Sequence, residues 1–195
     1  MEKTVILITG TPCVGKTTLA TRLSCKLGGV YVNLTELAKR EELITRRDRK
    51  RNSAIVDEDK MREALERVID ETEKSCVVVD GHYAAAVAPK GLVSRVIVLR
   101  RDPRELRLFM EKCGFSKAKM SENLEAEVLD VCLVEALRET EKTKVCELDA
   151  TGKTTDQALN EVLEILDNRR ACTVGCVDWL DTLEIAGVLD DYLRT

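Results

Sequence analysis

The sequence predicts an α/β fold in which helices cover a parallel sheet. Short β-branched segments, such as 4–9 and 76–79, are apolar on both faces, which is typical of strands buried on both sides. Helical stretches of a dozen or more residues separate them, and this alternation favours parallel strands joined by crossover helices. A length of 195 residues, with 44% hydrophobic and 34% charged residues, indicates one domain with a substantial core.

The first 80 residues are predicted to hold three strands and three helices. Leu19, Leu23 and Leu27 lie four residues apart and give one helix an apolar face. The basic run 46–51 is too charged for the core and is predicted as an exposed loop or helix end. The predicted strands are 4–9, 30–32 and 76–80, and the predicted helices are 16–27, 34–42 and 58–73.

The second part continues the alternation. Pro103 suits the first turn of a helix that is broken at Gly114. Thr154 and Gln157 have the spacing of a capping box before another apolar-faced helix, which runs to about residue 166. Residues from Ala171 onward are predicted as a separate tail with one or two amphipathic turns. The remaining predicted elements are the strands 93–99 and 144–148 and one long helix over 121–140.

Charge and hydropathy exclude several classes of protein. The formal net charge of −4 argues against a chain that binds polyanions over its whole surface. No apolar run approaches the ~20 residues that cross a bilayer, and the first residues lack a signal pattern. We therefore expect a cytoplasmic protein without a membrane partner.

The eight cysteines do not follow a metal-binding pattern. They are scattered, none forms a C-x-x-C pair, and the chain has a single histidine, so a zinc site is not expected. Most are predicted to be small buried hydrophobic residues in a reducing compartment. Cys172 and Cys176 are the closest pair, and whether they form a bridge is left open.

The strongest motif lies between the first strand and the first helix. Residues 10–17 read Gly-Thr-Pro-Cys-Val-Gly-Lys-Thr and match G-x-x-x-x-G-K-[ST] in full. In such a loop the backbone N–H groups surround a phosphate, Gly15 leaves room for it, Lys16 reaches the outer phosphates and the Thr17 hydroxyl can bind Mg²⁺. The sequence therefore predicts a nucleotide site here, rather than an ordinary glycine-rich turn.

Two further polar residues end a buried strand. Asp80 stands where a second carboxylate near Mg²⁺ is expected, although it could simply end a strand at a turn. His82 follows at the same predicted edge of the sheet, where ligands of such folds bind. A lone histidine is usually structural, but beside Asp80 and the phosphate loop we expect it to act on the attacking water or the acceptor phosphate.

Arginines and the last loop add to the phosphate site. Guanidinium groups match phosphate oxygens, and at least one arginine of the group Arg100, Arg101, Arg104 and Arg107, or of the run 46–51, is expected to contact phosphate. Residues 149–153 follow the last strand and could pack against adenine. An Asn-Lys-x-Asp segment is absent from the sequence, which counts against a GTPase.

Several segments together resemble one family, the archaeal and eukaryotic nuclear-type (CINAP-like) adenylate kinases. The segments are the loop 10–18, residues 80–83, Gly114-Phe115-Ser116 with Glu122-Asn123, and residues 149–153. The resemblance covers roughly residues 4–166. It implies a P-loop nucleoside monophosphate kinase fold with a five-stranded parallel sheet, kinase and ATPase activity, and ATP with Mg²⁺. In eukaryotes such proteins assist maturation of the small ribosomal subunit with a platform ribosomal protein, so that protein and rRNA are possible partners.

The resemblance also implies boundaries and residue roles. The kinase domain would span 1–168, with an AMP-binding segment near 33–56 and a lid near 103–120, and 169–195 would be a tail of unknown role. The implied residues are Cys13, Gly15, Lys16, Thr17 and Thr18 at the ATP phosphates, Thr17 and Asp80 at the metal, Lys16, Asp80 and His82 in catalysis, Lys153 near adenine, and Lys39 and Asp57 on the AMP side.

Three departures from the family pattern bear on activity. Cys13 replaces a frequent glycine at a position that acts through its backbone. Cys113 stands where a lid arginine is usual, which leaves Lys112 or Arg107 to neutralise the charge of ATP. A lysine would offer phosphate a single point charge in place of the two parallel hydrogen bonds of a guanidinium group. The run 46–51 is basic where relatives are often acidic, which puts the acceptor side or the partner in question.

The leading hypothesis is Mg²⁺-dependent transfer of the ATP γ-phosphate to AMP, which gives two ADP. The alternative is an ATPase that acts as an assembly factor of the small ribosomal subunit, together with a ribosomal protein or rRNA. Both activities could occur in one protein. A third hypothesis, suggested by Cys113, is nucleotide binding without turnover.

Overall fold

The computed structural model describes residues 3–48 and 53–193. It contains a five-stranded sheet of order β2-β5-β1-β6-β7 in which every neighbouring pair is parallel. These strands are β1 (Thr4–Gly10), β2 (Val30–Asn33), β5 (Cys76–Asp80), β6 (Val93–Arg100) and β7 (Val145–Asp149), and a separate antiparallel pair is formed by β3 (Ile44–Asp48) and β4 (Ser53–Val56). The predicted α/β class and the five parallel strands are confirmed.

The helices lie on both faces of this sheet. Alternate residues of β1 point to opposite faces, so Val5 and Leu7 belong to one core cluster while Ile6 and Ile8 belong to the other. The first cluster receives side chains from α2 (Leu34–Arg40), α3 (Glu58–Glu71), α4 (Ala84–Val87) and α7 (Val131–Glu139). The second receives them from α1 (Lys16–Lys26), α5 (Pro103–Lys112), α6 (Lys117–Val128), α8 (Thr155–Leu166) and α9 (Trp179–Ile185).

The prediction of one long helix over 121–140 is wrong in one respect, because the chain forms two helices there, α6 and α7. Asp130 separates them with a left-handed backbone (φ 56°), and its carboxylate accepts a hydrogen bond from Arg100. Periodicity did not reveal the break, since both helices are apolar on one side. The capping box at Thr154 and Gln157 is confirmed.

The prediction that the basic run 46–51 forms a loop or helix end is wrong for its first residues, which form a strand. Ile44–Asp48 pairs with Ser53–Val56, with Arg46 opposite Ile55. A two-stranded ribbon apart from the main sheet needs no continuous apolar face, so charge does not exclude a strand here. The rest of the run, 49–51, lies outside the described residues.

The residues after Ala171 are packed into the domain instead of forming a separate unit. Trp179, Leu183 and Tyr192 are buried in the second core cluster. A disulfide joins Cys146 of β7 to Cys172, so the bridge considered between Cys172 and Cys176 is not the one that forms. The expectation that most cysteines are buried is corrected too: of the six free cysteines among the described residues, only Cys76 is buried. The boundary proposed at 168 stays a prediction.

The AMP-binding and lid segments likewise stay predictions. The first, 33–56, corresponds to α2 and the β3–β4 ribbon, and the second, 103–120, to α5 and the start of α6. Within the described residues, every helix is too short or too polar to cross a membrane.

Candidate active site

The loop between β1 and α1 has the backbone shape that the motif predicts. Gly10 has a φ of 137°, and a Cβ at this position would lie 2.4 Å from the carbonyl oxygen of Leu99, so a side chain is excluded. Gly15 precedes α1 with a φ of 110°, and a Cβ there would meet the Arg101 guanidinium at 4.0 Å, which is an ordinary contact. Cys13 also has a positive φ, 68°, which explains why glycine is frequent at that position. The loop and the start of α1 together form an anion-binding concavity.

The Lys16 side chain is folded back against this loop. Its Nζ donates a hydrogen bond to the carbonyl oxygen of Thr11 at 2.8 Å, and the residue is buried. Burial lowers the pKa of the ammonium, while the carboxylates of Asp80 and Glu127 act in the opposite direction. A phosphate in the loop would give this ammonium a stronger partner than a carbonyl.

Asp80 meets the phosphate loop at the carboxyl edge of the sheet. Its Oδ2 accepts hydrogen bonds from the Thr17 hydroxyl at 2.6 Å, the Tyr31 hydroxyl at 2.9 Å and the Asn33 amide at 3.1 Å. The last two contacts arise because β2 and β5 are neighbouring parallel strands, with Asn33 directly opposite Asp80. Tyr31 and Asn33 were not predicted to lie at the site, because only the strand order brings them to Asp80.

The Thr17–Asp80 pair fits a magnesium ion. A hydroxyl and a carboxylate are hard oxygen ligands, and Mg²⁺ usually takes only one or two protein ligands together with water and substrate phosphates. These two side chains could therefore hold the ion. Among the described residues, no three histidine, cysteine or acidic side chains are grouped so that they could hold a metal ion.

His82 lies beside this group. Its carbonyl oxygen accepts a hydrogen bond from the Thr9 hydroxyl at 3.1 Å, which fixes the backbone, while the ring remains exposed. Neighbouring protein atoms nevertheless displace part of the water around the imidazole, and this desolvation lowers the pKa of His82 to about 4, with Lys16 and Lys119 adding to the effect and Asp80 opposing it. Lys119 was missed by the sequence interpretation, because nothing in the spacing of α6 marks it as facing the loop.

The titration of His82 gives a direct check of this geometry. It is the only histidine, so its ring protons in an NMR pH titration need no assignment. We expect an apparent pKa near 4 in the nucleotide-free protein, a higher value in Lys16→Met and a lower one in Asp80→Asn. Because the unfolded chain binds this proton near pH 6.5, stability should fall as the pH drops from about 6.5 to 4. An unshifted value of about 6.5 would contradict the placement.

A cleft of about 430 Å³ opens next to the loop. Four of the predicted ATP-side residues line it, namely Cys13, Gly15, Thr18 and Lys153, whereas Lys16, Thr17 and Lys112 do not. The other lining residues are Val14, Arg101, Glu105, Phe109, Gly152, Thr154 and Thr155. The Lys153 ammonium is paired with Glu161 at 2.7 Å. The Arg101 guanidinium lies 4.9 Å from the centre of the Phe109 ring, and the Lys112 ammonium lies 5.8 Å from it. The cleft thus has aromatic and cationic walls that suit a nucleoside.

Cys13 and Cys113, two of the departures from the family pattern, lie together. Burial, followed by the influence of the nearby Cys113 thiol, raises the pKa of Cys13 to about 11. The position where a lid arginine is usual is therefore adjacent to the phosphate loop.

The four arginines at and after the end of β6 have different roles. Arg100 is buried and pairs with Glu127 at 2.9 Å, with Glu147 at 2.5 Å and with Asp130, so it is not available to a phosphate. Arg104 pairs with Asp102, and Arg107 stacks on Tyr192 at 4.2 Å. Arg101 is the one beside the loop, where its Nε donates to the carbonyl oxygen of Val14 at 3.3 Å.

The predicted AMP-side residues lie on other elements. Lys39 is exposed in the last turn of α2. Asp57 caps α3 by accepting a hydrogen bond from the backbone N–H of Lys60 at 3.2 Å, and this contact lowers its pKa. Their contacts with a monophosphate stay predictions.

With this geometry established, comparison with known proteins identifies the family. A family model described as an AAA domain matches residues 6–130. A protein of Methanocaldococcus jannaschii named "Putative adenylate kinase" is 36% identical over 188 residues, covering 92% of this chain and 98% of its own. The chain belongs to the P-loop nucleoside monophosphate kinase family. A protein of Pyrococcus furiosus with the same name is 40% identical over 180 residues, covering 92% of this chain and 93% of its own.

Solved structures of other P-loop kinases share the fold. A gluconokinase of Sinorhizobium meliloti superposes with a TM-score of 0.59 at 15% identity, covering 86% of this chain and 94% of its own. A shikimate kinase of Bacteroides thetaiotaomicron gives 0.57 at 18% identity, covering 84% and 98%. At these identities the similarity concerns the fold alone.

Proposed function

We propose that this kinase transfers the γ-phosphate of ATP to AMP and forms two ADP. The observation that supports it best is the meeting of Lys16, the Thr17 hydroxyl and the Asp80 carboxylate at one edge of the sheet, with Thr17 and Asp80 2.6 Å apart. The choice of AMP rests on the resemblance noted above and on relatives named as adenylate kinases.

The phosphate loop performs the first task, which is to hold and orient ATP. Its backbone N–H groups and the Lys16 ammonium surround the phosphates, and the cleft walls formed by Arg101 and Lys153 take the nucleoside. Thr17 and Asp80 would hold Mg²⁺, which neutralises charge that develops on the phosphates.

The acceptor side completes the reaction. His82 is neutral near pH 7 because of its lowered pKa, so its ring can accept a hydrogen bond from the acceptor or from water. Lys39 and Asp57 are the proposed AMP-side residues. The Asp80-Gly81-His82 segment supports assignment to the CINAP-like subgroup, in which an ATPase activity accompanies the kinase.

The experiment measures ADP formation from MgATP, alone and with each nucleoside monophosphate. We expect AMP to stimulate turnover strongly, with two ADP formed for each ATP consumed. Absence of ADP formation with AMP, in protein that binds MgATP, would reject kinase activity. Turnover that is slow and independent of AMP would instead favour the ATPase alternative, whose ribosomal partner a pull-down would then have to identify.

Introducing an arginine at Cys113 should raise the activity. The side chain is exposed, and its contact with Cys13 places it at the phosphate loop. A guanidinium there can bind phosphate oxygens with two hydrogen bonds. We expect kcat of Cys113→Arg to rise about tenfold, while Cys25→Arg, at an exposed position of α1, should not change it. Equal activity in both variants would show that Cys113 does not face the nucleotide.

A further inference from the structure

The C-terminal segment 172–179 is attached firmly to the sheet. A disulfide joins Cys172 to Cys146, and the Glu147 backbone N–H donates to the carbonyl oxygen of Thr173 at 2.8 Å. The buried Glu147 carboxylate accepts hydrogen bonds from the backbone N–H groups of Gly175 at 2.7 Å and Cys176 at 2.8 Å. The segment is thus aligned along β7 before α9 begins at Trp179.

Trp179 connects the C-terminal segment to the phosphate loop through Glu127. Its indole is buried, and its Nε1 donates a hydrogen bond to Oε1 of Glu127 at 3.1 Å. The other oxygen of the same carboxylate, Oε2, accepts a hydrogen bond from the hydroxyl of Thr11 in the loop. One buried carboxylate therefore joins the C-terminal segment to the loop.

Glu127 has no freedom to turn away from this position. Its Oε1 also accepts hydrogen bonds from Arg100 Nε at 2.9 Å and from the backbone N–H of Arg101 at 3.2 Å. Glu127 is only 2% exposed, so water does not compete for these contacts. The Thr11 hydroxyl donates a hydrogen bond to this carboxylate, and the Thr11 carbonyl oxygen accepts one from the Lys16 ammonium.

We propose that Glu127 and Trp179 are positioning residues of the phosphate loop, through which the C-terminal segment sets the affinity for MgATP. The inference rests on the proposed function, because it needs the loop to bind the nucleotide. The carboxylate orients Thr11, and Thr11 determines where the Lys16 ammonium rests before it meets a phosphate. The indole N–H keeps that carboxylate oriented and closes its site to water.

The test begins with Trp179→Phe, which keeps an aromatic ring in the core but removes the N–H donor and part of the buried indole volume. We expect Kd for MgATP, measured by calorimetry, to rise about 3- to 10-fold. The matched control is Leu180→Ala, the next residue of α9, which is partly exposed and should leave Kd unchanged. A Trp179→Phe protein that melts earlier but binds MgATP with wild-type affinity would show a purely structural role and overturn the proposal.

A double-mutant cycle separates coupling from general loss of stability. Thr11→Val removes the hydroxyl at the other end of the connection and should weaken binding, whereas Thr11→Ser keeps the hydroxyl and should restore it. Because both ends act through Glu127, Trp179→Phe should add little to the loss in Thr11→Val. Fully additive losses would mean that the two residues act independently and would overturn the proposal.

The protein carries its own spectroscopic probe, since Trp179 is its only tryptophan. We expect MgATP to change the indole fluorescence of the wild type with the Kd found by calorimetry, and the change to be lost in Thr11→Val at saturating nucleotide. Saturation without any fluorescence change would overturn the coupling while leaving the proposed function intact. If the wild type does not bind MgATP at all, both proposals fail.

Discussion

Replacing Lys16 by methionine should reduce ADP formation about 10²- to 10³-fold. The ammonium is buried beside the loop, and methionine keeps most of the side-chain volume while removing the charge that faces the phosphates. Because that charge acts most strongly on the phosphates as they react, we expect a larger fall in kcat than rise in KM for ATP. Initial rates at saturating AMP measure both constants.

Lys26→Met is the matched control for this variant. Lys26 is in the last turn of the same helix and is exposed, so its loss should leave the rate unchanged. If Lys16→Met retained most of the wild-type kcat, the loop would not be the site of phosphoryl transfer.

Asp80→Asn should lower activity by at least about 10- to 100-fold, the loss typical of groups that only support a metal ligand, because the Asp80 carboxylate is itself one of the two proposed protein ligands of Mg²⁺. The substitution keeps the shape of the side chain and removes its charge, while Tyr31 and Asn33 still surround it. The loss should be partly recovered at high Mg²⁺ concentration, because the ion binds more weakly rather than in another place. The magnesium dependence of kcat measures this.

Tyr31→Phe is the comparison for Asp80→Asn. It removes one of the donors to the Asp80 carboxylate but leaves the carboxylate itself and the Thr17 contact. We expect a change of less than about threefold, since a single hydrogen bond contributes about 1 kcal/mol and only part of it concerns the metal. An Asp80→Asn protein with the same magnesium dependence as the wild type would exclude a metal-side role.

Local patterns were sufficient for the sheet and the phosphate loop. A strand that is apolar on both faces, such as β5, and a loop with fixed spacing, such as 10–17, each carry their own signal. The same is true of the capping box at Thr154. These features depend on residues close together in the chain, so periodicity and spacing predict them.

The parts that were missed depend on residues far apart in the chain. The break at Asp130 depends on Arg100, the Glu127 carboxylate depends on Thr11 and Trp179, and Cys146 meets a cysteine 26 residues away. From the sequence alone, a glutamate on a helix is predicted to face the solvent, because acidic side chains are rarely buried unless they are paired. Arg100 was counted among the arginines of which at least one was expected to contact phosphate, because its carboxylate partners lie far from it in the chain.

Calorimetric titration of MgATP into the wild-type protein and into Lys16→Met tests most directly whether the phosphate loop and Lys16 bind the nucleotide. We expect one binding site per chain in the wild type and markedly weaker binding in the variant, because the loop and its ammonium hold the phosphates. No heat of binding in folded wild-type protein, or equal affinity in the two proteins, would contradict this expectation.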